Sequence, residues 1–128
     1  MSPAVFVFIA LGGAIGACGR YAVTLLASRI WPEQSLPIGT LGANILGCLL
    51  IGGLAGLAES RLALSPEARS FLFVGLLGGF TTFSSFGLET LLLLREGSYG
   101  WAALYVLFQV GVGLVVVAGG YTLGRLGA

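Results

Sequence analysis

The chain contains no lysine, no aspartate and no histidine; its formal charges are six arginines and five glutamates in 128 residues. Charged residues make up 9% of it and hydrophobic ones 57%, with 22 glycines besides, whereas a soluble domain carries about 25% charged residues. That balance excludes a soluble globule. A net charge of +1 supplies neither a basic nor an acidic field, and so excludes nucleic acid as a partner. Proton transfer and metal binding lean on His, Asp, Cys and Lys, and three of those four residue types are missing. The chain is therefore not expected to be an enzyme. Cys18 and Cys48 each sit in an apolar stretch and read as small buried side chains, with no disulfide or metal framework. The first residues lack the basic start of a secretory signal and read as a membrane span.

What the sequence has is length without charge. Stretches 1–19, 34–58, 70–88 and 97–124 are free of charged side chains, and each can hold the ~20 residues that cross a bilayer. The expected helices are 4–28, 38–58, 71–94 and 100–123, a single four-helix transmembrane domain over 1–128 with no room for a soluble module. Ser65-Pro66-Glu67 has the form of a helix start, with Ser65 as N-cap and Pro66 at the first helical position. Glycines recur four apart, at Gly12 and Gly16, Gly52 and Gly56, Gly75 and Gly79, and Gly120 and Gly124. This is the spacing that lets helix backbones approach closely in lipid, so tight helix packing and oligomerisation are both expected. Four short helices enclose little interior, which puts any pathway between subunits and makes a homodimer the minimal assembly.

An even number of spans puts both termini on one side. Arg61, Arg69 and Arg125 then lie on one side of the bilayer, with Arg29, Arg95 and Arg20 on the other. Such balance gives no orientation preference under the positive-inside rule. Insertion both ways with antiparallel pairing is the expectation, and a single orientation the alternative.

Polar groups within an apolar span usually face a partner, a cavity or a pathway. In the first span Arg20 must snorkel, pair with a carboxylate or sit in a wet vestibule. In the second, Thr40 and Asn44 are four apart and share a face; Asn44 is either interhelical glue or a hydrogen-bond donor that replaces water around an anion. The third holds Gly78-Gly79-Phe80-Thr81-Thr82-Phe83-Ser84-Ser85-Phe86. Paired glycines followed by two threonines predict a helix break, which survives at membrane depth only when buried in protein or lining a cavity. Its freed carbonyls can ligate a buried cation. Phe80, Phe83 and Phe86 recur every three residues as an aromatic stripe, read either as packing or as ring edges that stabilise a small anion. Ser84, Ser85 and Thr82 offer hydroxyls on the same route. Glu89 either faces that route or pairs with an arginine. In the fourth span Tyr105 and Gln109 share a face, and Tyr121 reads as an interfacial anchor.

Three blocks carry a resemblance over the whole chain: Gly12-Gly13-Ala14-Ile15-Gly16-Ala17-Cys18-Gly19-Arg20-Tyr21, Gly39-Thr40-Leu41-Gly42-Ala43-Asn44-Ile45-Leu46-Gly47, and Gly78 to Phe86. With the four-span order, the sequence resembles the Fluc (CrcB) fluoride channels of bacteria. The resemblance implies an antiparallel, dual-topology homodimer in the bacterial plasma membrane, with two pores that passively conduct fluoride out of the cytoplasm and relieve its toxicity. Phe83 and Phe86 resemble the pair whose ring edges line the path, Asn44 the donor beside it with Thr40 a turn away, Ser84 and Ser85 its hydroxyl pair, and Glu89 its acidic residue. Gly78 and Thr81 match the positions whose backbone carbonyls hold a structural sodium ion at the dimer interface. Arg20 resembles the vestibule arginine. Tyr105 fits the fourth helix, but Gln109 and Gly113 stand where some members have pore-facing serines.

Two other readings compete. A small four-helix drug or cation exporter needs a carboxylate deep in the membrane to alternate between proton and substrate, and Glu89, towards the end of its span, is the one candidate. A non-transporting assembly subunit would use the small residues for helix contacts alone and leave Asn44 and the Thr81 to Ser85 hydroxyls without a purpose.

Overall fold

The computed structural model describes residues 2–33 and 35–127, and among them every regular element is helical. The helices are α1 (Pro3–Ile30), α2 (Ile38–Ser60), α3 (66–80), α4 (Phe83–Arg95) and α5 (Tyr99–Leu126). They make four segments long and apolar enough to cross a membrane, of 28, 23, 30 and 28 residues, α3 and α4 together forming the third. Each runs past the limit that charge had suggested. Arg29, Ser60 and Arg95 are still helical, because a helix that has crossed the hydrocarbon keeps its own hydrogen bonds in the headgroup layer, where a terminal arginine also complements the helix dipole.

The ends obey local rules. Pro32 follows the last turn of α1, where Trp31 N–H still reaches Ala27 O at 2.9 Å. The third span begins at Pro66, earlier than residue 71, because Ser65 Oγ accepts from Ala68 N–H at 3.1 Å. α4 closes on Gly97, whose φ of 77° suits a residue without a Cβ. Ser98 N–H bonds to Leu93 O at 2.9 Å and Gly97 N–H to Leu94 O at 3.1 Å, so the last carbonyls are satisfied.

The glycine pairs hold the fold together from inside one subunit. A Cβ on Gly79 would lie 2.6 Å from Gly13 O, and one on Gly12 2.5 Å from Phe71 O, so α1 and α3 touch backbone to backbone. Gly52 and Gly56 meet Val117 and Tyr121 backbone in the same way, while Gly120 and Gly124 meet Leu49 and Gly53, which joins α2 to α5. Such contact in lipid replaces the hydrophobic drive that water would supply.

The apolar core is correspondingly small: Phe86, Leu93, Ala102 and Tyr105 cluster with Leu36 and Leu41 beside them. Large apolar side chains such as Phe6, Leu26, Phe83 and Leu114 face outward, as lipid allows. Cys18 is exposed and Cys48 half-buried, so the expectation of two buried thiols is corrected: one subunit has too thin a core to cover the outer face of α1.

Candidate functional site

The site is organised by two residues that are not helical. Thr81 (φ −89°, ψ 157°) and Thr82 (φ −151°, ψ 116°) are extended between α3 and α4. In an unbroken helix Thr82 N–H would bond Gly78 O; here it donates to Asn44 Oδ1 at 2.8 Å, and Thr82 O accepts from Asn44 Nδ2 at 3.0 Å. One side chain of α2 thus satisfies both backbone groups of Thr82, as a neighbouring strand would. Asn44 Nδ2 also donates to Gln109 Oε1 at 3.0 Å, tying in α5, where Leu107–Val112 form a widened π-helical turn.

The rest of the interruption is satisfied by other elements. Arg20, well inside α1, donates from Nε to Gly79 O at 3.2 Å. Its charge therefore caps the carbonyl end of α3, where the helix dipole favours a cation. Thr82 Oγ1 is the N-cap of α4, accepting from Ser85 N–H at 3.2 Å; it also meets the Ser85 hydroxyl at 3.2 Å and the Ser84 hydroxyl at 3.4 Å. The carbonyl oxygens of Gly78 and Thr81 receive no hydrogen bond among the described residues.

One level away lies a second polar group. Glu89 accepts from Thr40 Oγ1 at 2.8 Å and from Tyr105 Oη at 2.5 Å. Thr40 is 7% exposed and Tyr105 wholly buried. Of the two alternatives for Glu89, the arginine pairing gives way to two hydroxyl donors from α2 and α5. Thr40 and Asn44 do share a face, as do Tyr105 and Gln109, so the two helices offer parallel pairs to α4.

Between the two levels stands an aromatic row. Phe83 and Phe86 are edge to face with centroids 5.5 Å apart, and Phe86 meets Tyr105 at 5.5 Å. Phe80 is not part of it. The extended Thr81-Thr82 breaks the three-residue spacing, and Phe80 packs instead beside Gly19 and Gly47. Phe83 is 81% exposed in the single subunit. An open cavity of about 360 Å³ is bounded by Asn44, Cys48, Thr82, Phe83, Phe86 and Gln109, with Gly78 and Thr81 at its edge. Thr40, Glu89, Tyr105 and Ser85 lie beyond its wall, Ser84 is exposed on α4, and Arg20 approaches from α1. Gly113 is turned towards Cys48, so α5 presents one polar side chain, Gln109, where two were sought. Tyr121 bonds Glu59, with Arg125 over its ring at 5.9 Å, near the far end of the bundle.

Sequence patterns missed the backbone of Thr82 and the thiol of Cys48. The first had a signal in Thr-Thr after Gly-Gly; the second had one in its place a turn beyond Asn44.

A family model described as CrcB-like protein, Camphor Resistance (CrcB), matches residues 7–121. The chain belongs to the CrcB family. Its CrcB relatives span the same length. A protein of Methylobacillus flagellatus named fluoride-specific ion channel FluC is 50% identical over 118 residues, covering 92% of each chain. Proteins of the same name from Paracoccus denitrificans and Helicobacter pylori are 47% and 43% identical, covering 94% of each chain in the first case and 94% and 93% in the second. With four spanning helices, this CrcB protein is a multi-pass protein of the bacterial plasma membrane.

Proposed function

We propose that this CrcB protein is a passive, fluoride-selective channel that releases fluoride from the cytoplasm and so relieves its toxicity. The observation that carries the reading is end-to-end similarity, at up to half identity, to proteins named fluoride-specific ion channels. The residues suit it. An aromatic ring has a positive edge that attracts an anion without the grip of a full charge, and Phe83 and Phe86 stand at a cavity that also holds amide groups. The fluoride path is assigned to Phe83, Phe86, Asn44 and Gln109, continuing past Ser84 and Ser85 to Thr40, Tyr105 and Glu89, with Arg20 drawing anions to the vestibule. No bond is made or broken, so the protein is not an enzyme. The exporter reading needs a carboxylate free to exchange protons for substrate, whereas Glu89 is engaged by two hydroxyls.

The assembly is assigned as an antiparallel, dual-topology homodimer with two pores. Near balance of the remaining arginines supports it, with Arg61, Arg69 and Arg125 on one side against Arg29 and Arg95 on the other, Arg20 leaving the count because it lies inside α1 against Gly79 O; so does Phe83, which leaves its ring uncovered in one subunit. A cation fits the unbonded carbonyls of Gly78 and Thr81: hard oxygen donors near a subunit face suit a sodium ion, which would neutralise carbonyls freed where α3 stops.

The test is efflux from liposomes holding the purified protein, read by fluoride and chloride electrodes in parallel. Fast fluoride release without chloride release is expected; equal release of both refutes selectivity, and silence on both refutes the channel. The same vesicles with sodium replaced by a bulky organic cation test the carbonyl site, where fluoride release should fall. Topology is tested separately by tagging each terminus in cells. Each tag should be reached from both sides of the membrane in similar share, and access from one side alone rules out antiparallel pairing.

A further inference from the structure

The break in the third span already carries one fixed positive charge. Arg20 donates from Nε to Gly79 O at 3.2 Å, and Gly79 sits midway along the span Pro66–Arg95. Nε is the inner nitrogen of the guanidinium, so a bond through it commits the whole charged head to that depth. α1 cannot back away with it: a Cβ on Gly16, one turn before Arg20, would lie 2.8 Å from Phe80 N, and Gly13 meets Gly79 backbone to backbone. The five acidic side chains stand elsewhere. Glu33 follows α1, Glu59 is next to last in α2, Glu67 is in the first turn of α3 and Glu96 follows α4; Glu89 is engaged through both oxygens by Thr40 and Tyr105. Gly78 O and Thr81 O, which flank Gly79 in the chain, receive no hydrogen bond among the described residues. The carbonyls suited to a cation therefore adjoin one that a cationic side chain has taken.

We propose that Arg20 is an electrostatic counterweight to the cation at this break: its charge loosens sodium on the Gly78 and Thr81 carbonyls, and an anion held beside the guanidinium relieves the repulsion, so that fluoride and sodium bind cooperatively. The proposal rests on the sodium and channel readings above. Two unit charges at one partly buried group of carbonyls repel far more strongly than they do in water. An anion drawn to Arg20 cancels that repulsion without touching the carbonyls. Coupling of this kind is reciprocal, so sodium strengthens anion binding by the same factor as the anion strengthens sodium binding. Arg20 then joins the two ions energetically, although each has its own contacts.

An ion that binds only the folded protein raises its melting temperature as it binds. The test is therefore the sodium midpoint of that rise for purified protein in detergent, with sodium replacing N-methylglucamine at constant ionic strength, in chloride and again in fluoride. The parent's midpoint should fall severalfold when fluoride replaces chloride. Arg20→Gln should lower the midpoint on the order of tenfold and make it the same in both anions. Arg20→Lys keeps the charge but gives up the Nε bond and the planar head, and should stay close to the parent in both respects. If Arg20 served only to shape the end of α3, both variants would raise the midpoint. An Arg20→Gln midpoint at or above the parent's, or a fluoride effect that survives loss of the charge, overturns the proposal while the sodium site stands. Equal parent midpoints in fluoride and chloride overturn it even where Arg20→Gln does not fold. A parent whose melting ignores sodium removes the sodium site and the counterweight together.

Discussion

Phe83→Ile and Phe86→Ile each lower fluoride release from liposomes by between about twofold and tenfold, since an aromatic edge contributes about 0.5–1.5 kcal/mol and ~1.4 kcal/mol is a factor of ten. The two variants differ in what else they change. Phe83 is 81% exposed and gives up little besides its edge contact with Phe86, so its replacement reads mainly on conduction. Phe86 is 9% exposed and packs on Tyr105, so isoleucine there leaves a partly filled gap and costs roughly 1–2 kcal/mol of stability as well. Through Tyr105 the gap also loosens one of the two hydroxyls on Glu89. Stability measured beside flux separates these effects. A Phe83→Ile protein that assembles and conducts like the parent refutes the role of the ring edge, whatever else carries the ion.

Helix number, glycine contacts and the Ser65 cap were legible because each depends on spacing within one segment. Gly12 and Gly16, or Gly52 and Gly56, need a four-residue interval and nothing distant to mark a close face. Which pair meets which was not legible, since four pairs can be matched in three ways and only the structure joins Gly12 and Gly16 to the third span and Gly52 and Gly56 to the fourth. Helix ends were legible only in part: charge marked where the hydrocarbon stops, and Pro66 or Arg29 remain helical past that point.

The site was legible as a set of residues and opaque as a set of bonds. Periodicity put Thr40 with Asn44 and Tyr105 with Gln109, but a shared face does not say which partner stands opposite. Glu89 illustrates the difficulty: from the sequence it either faced the route or paired with an arginine, and only the approach of α2 and α5 to α4 supplies the hydroxyls of Thr40 and Tyr105. Asn44 is subtler. Its partner is the backbone of Thr82, 38 residues on, and a backbone has no sequence signature. The stripe of Phe80, Phe83 and Phe86 failed for a related reason: a period of three assumes a continuous helix across the very threonines whose extended backbone interrupts it.

Gly16→Ala and Gly56→Ala should remove most of the folded protein. A Cβ on Gly56 falls onto Tyr121 O and 3.0 Å from Arg125 N, and one on Gly16 onto Leu76 O and 2.8 Å from Phe80 N. All of these are backbone atoms of helices, which no rotamer change can move aside. The helices must separate, and overpacking of this kind costs about 1–3 kcal/mol even where side chains can yield. At Gly16 the displacement is passed directly to Phe80 and the end of α3, so the carbonyls of Gly78 and Gly79 and the Asn44 contact with Thr82 shift with it. Gly119→Ala is the matched control, since a Cβ there meets nothing within 4 Å and alanine favours the helix by about 0.5–1 kcal/mol. The measurement is thermal loss of the size-exclusion peak in detergent, with fluoride release of whatever survives. Gly119→Ala should melt at or above the parent, and the other two well below. Equal stability for all three would mean that the helices are held by their large apolar side chains, with the glycines as spacing alone.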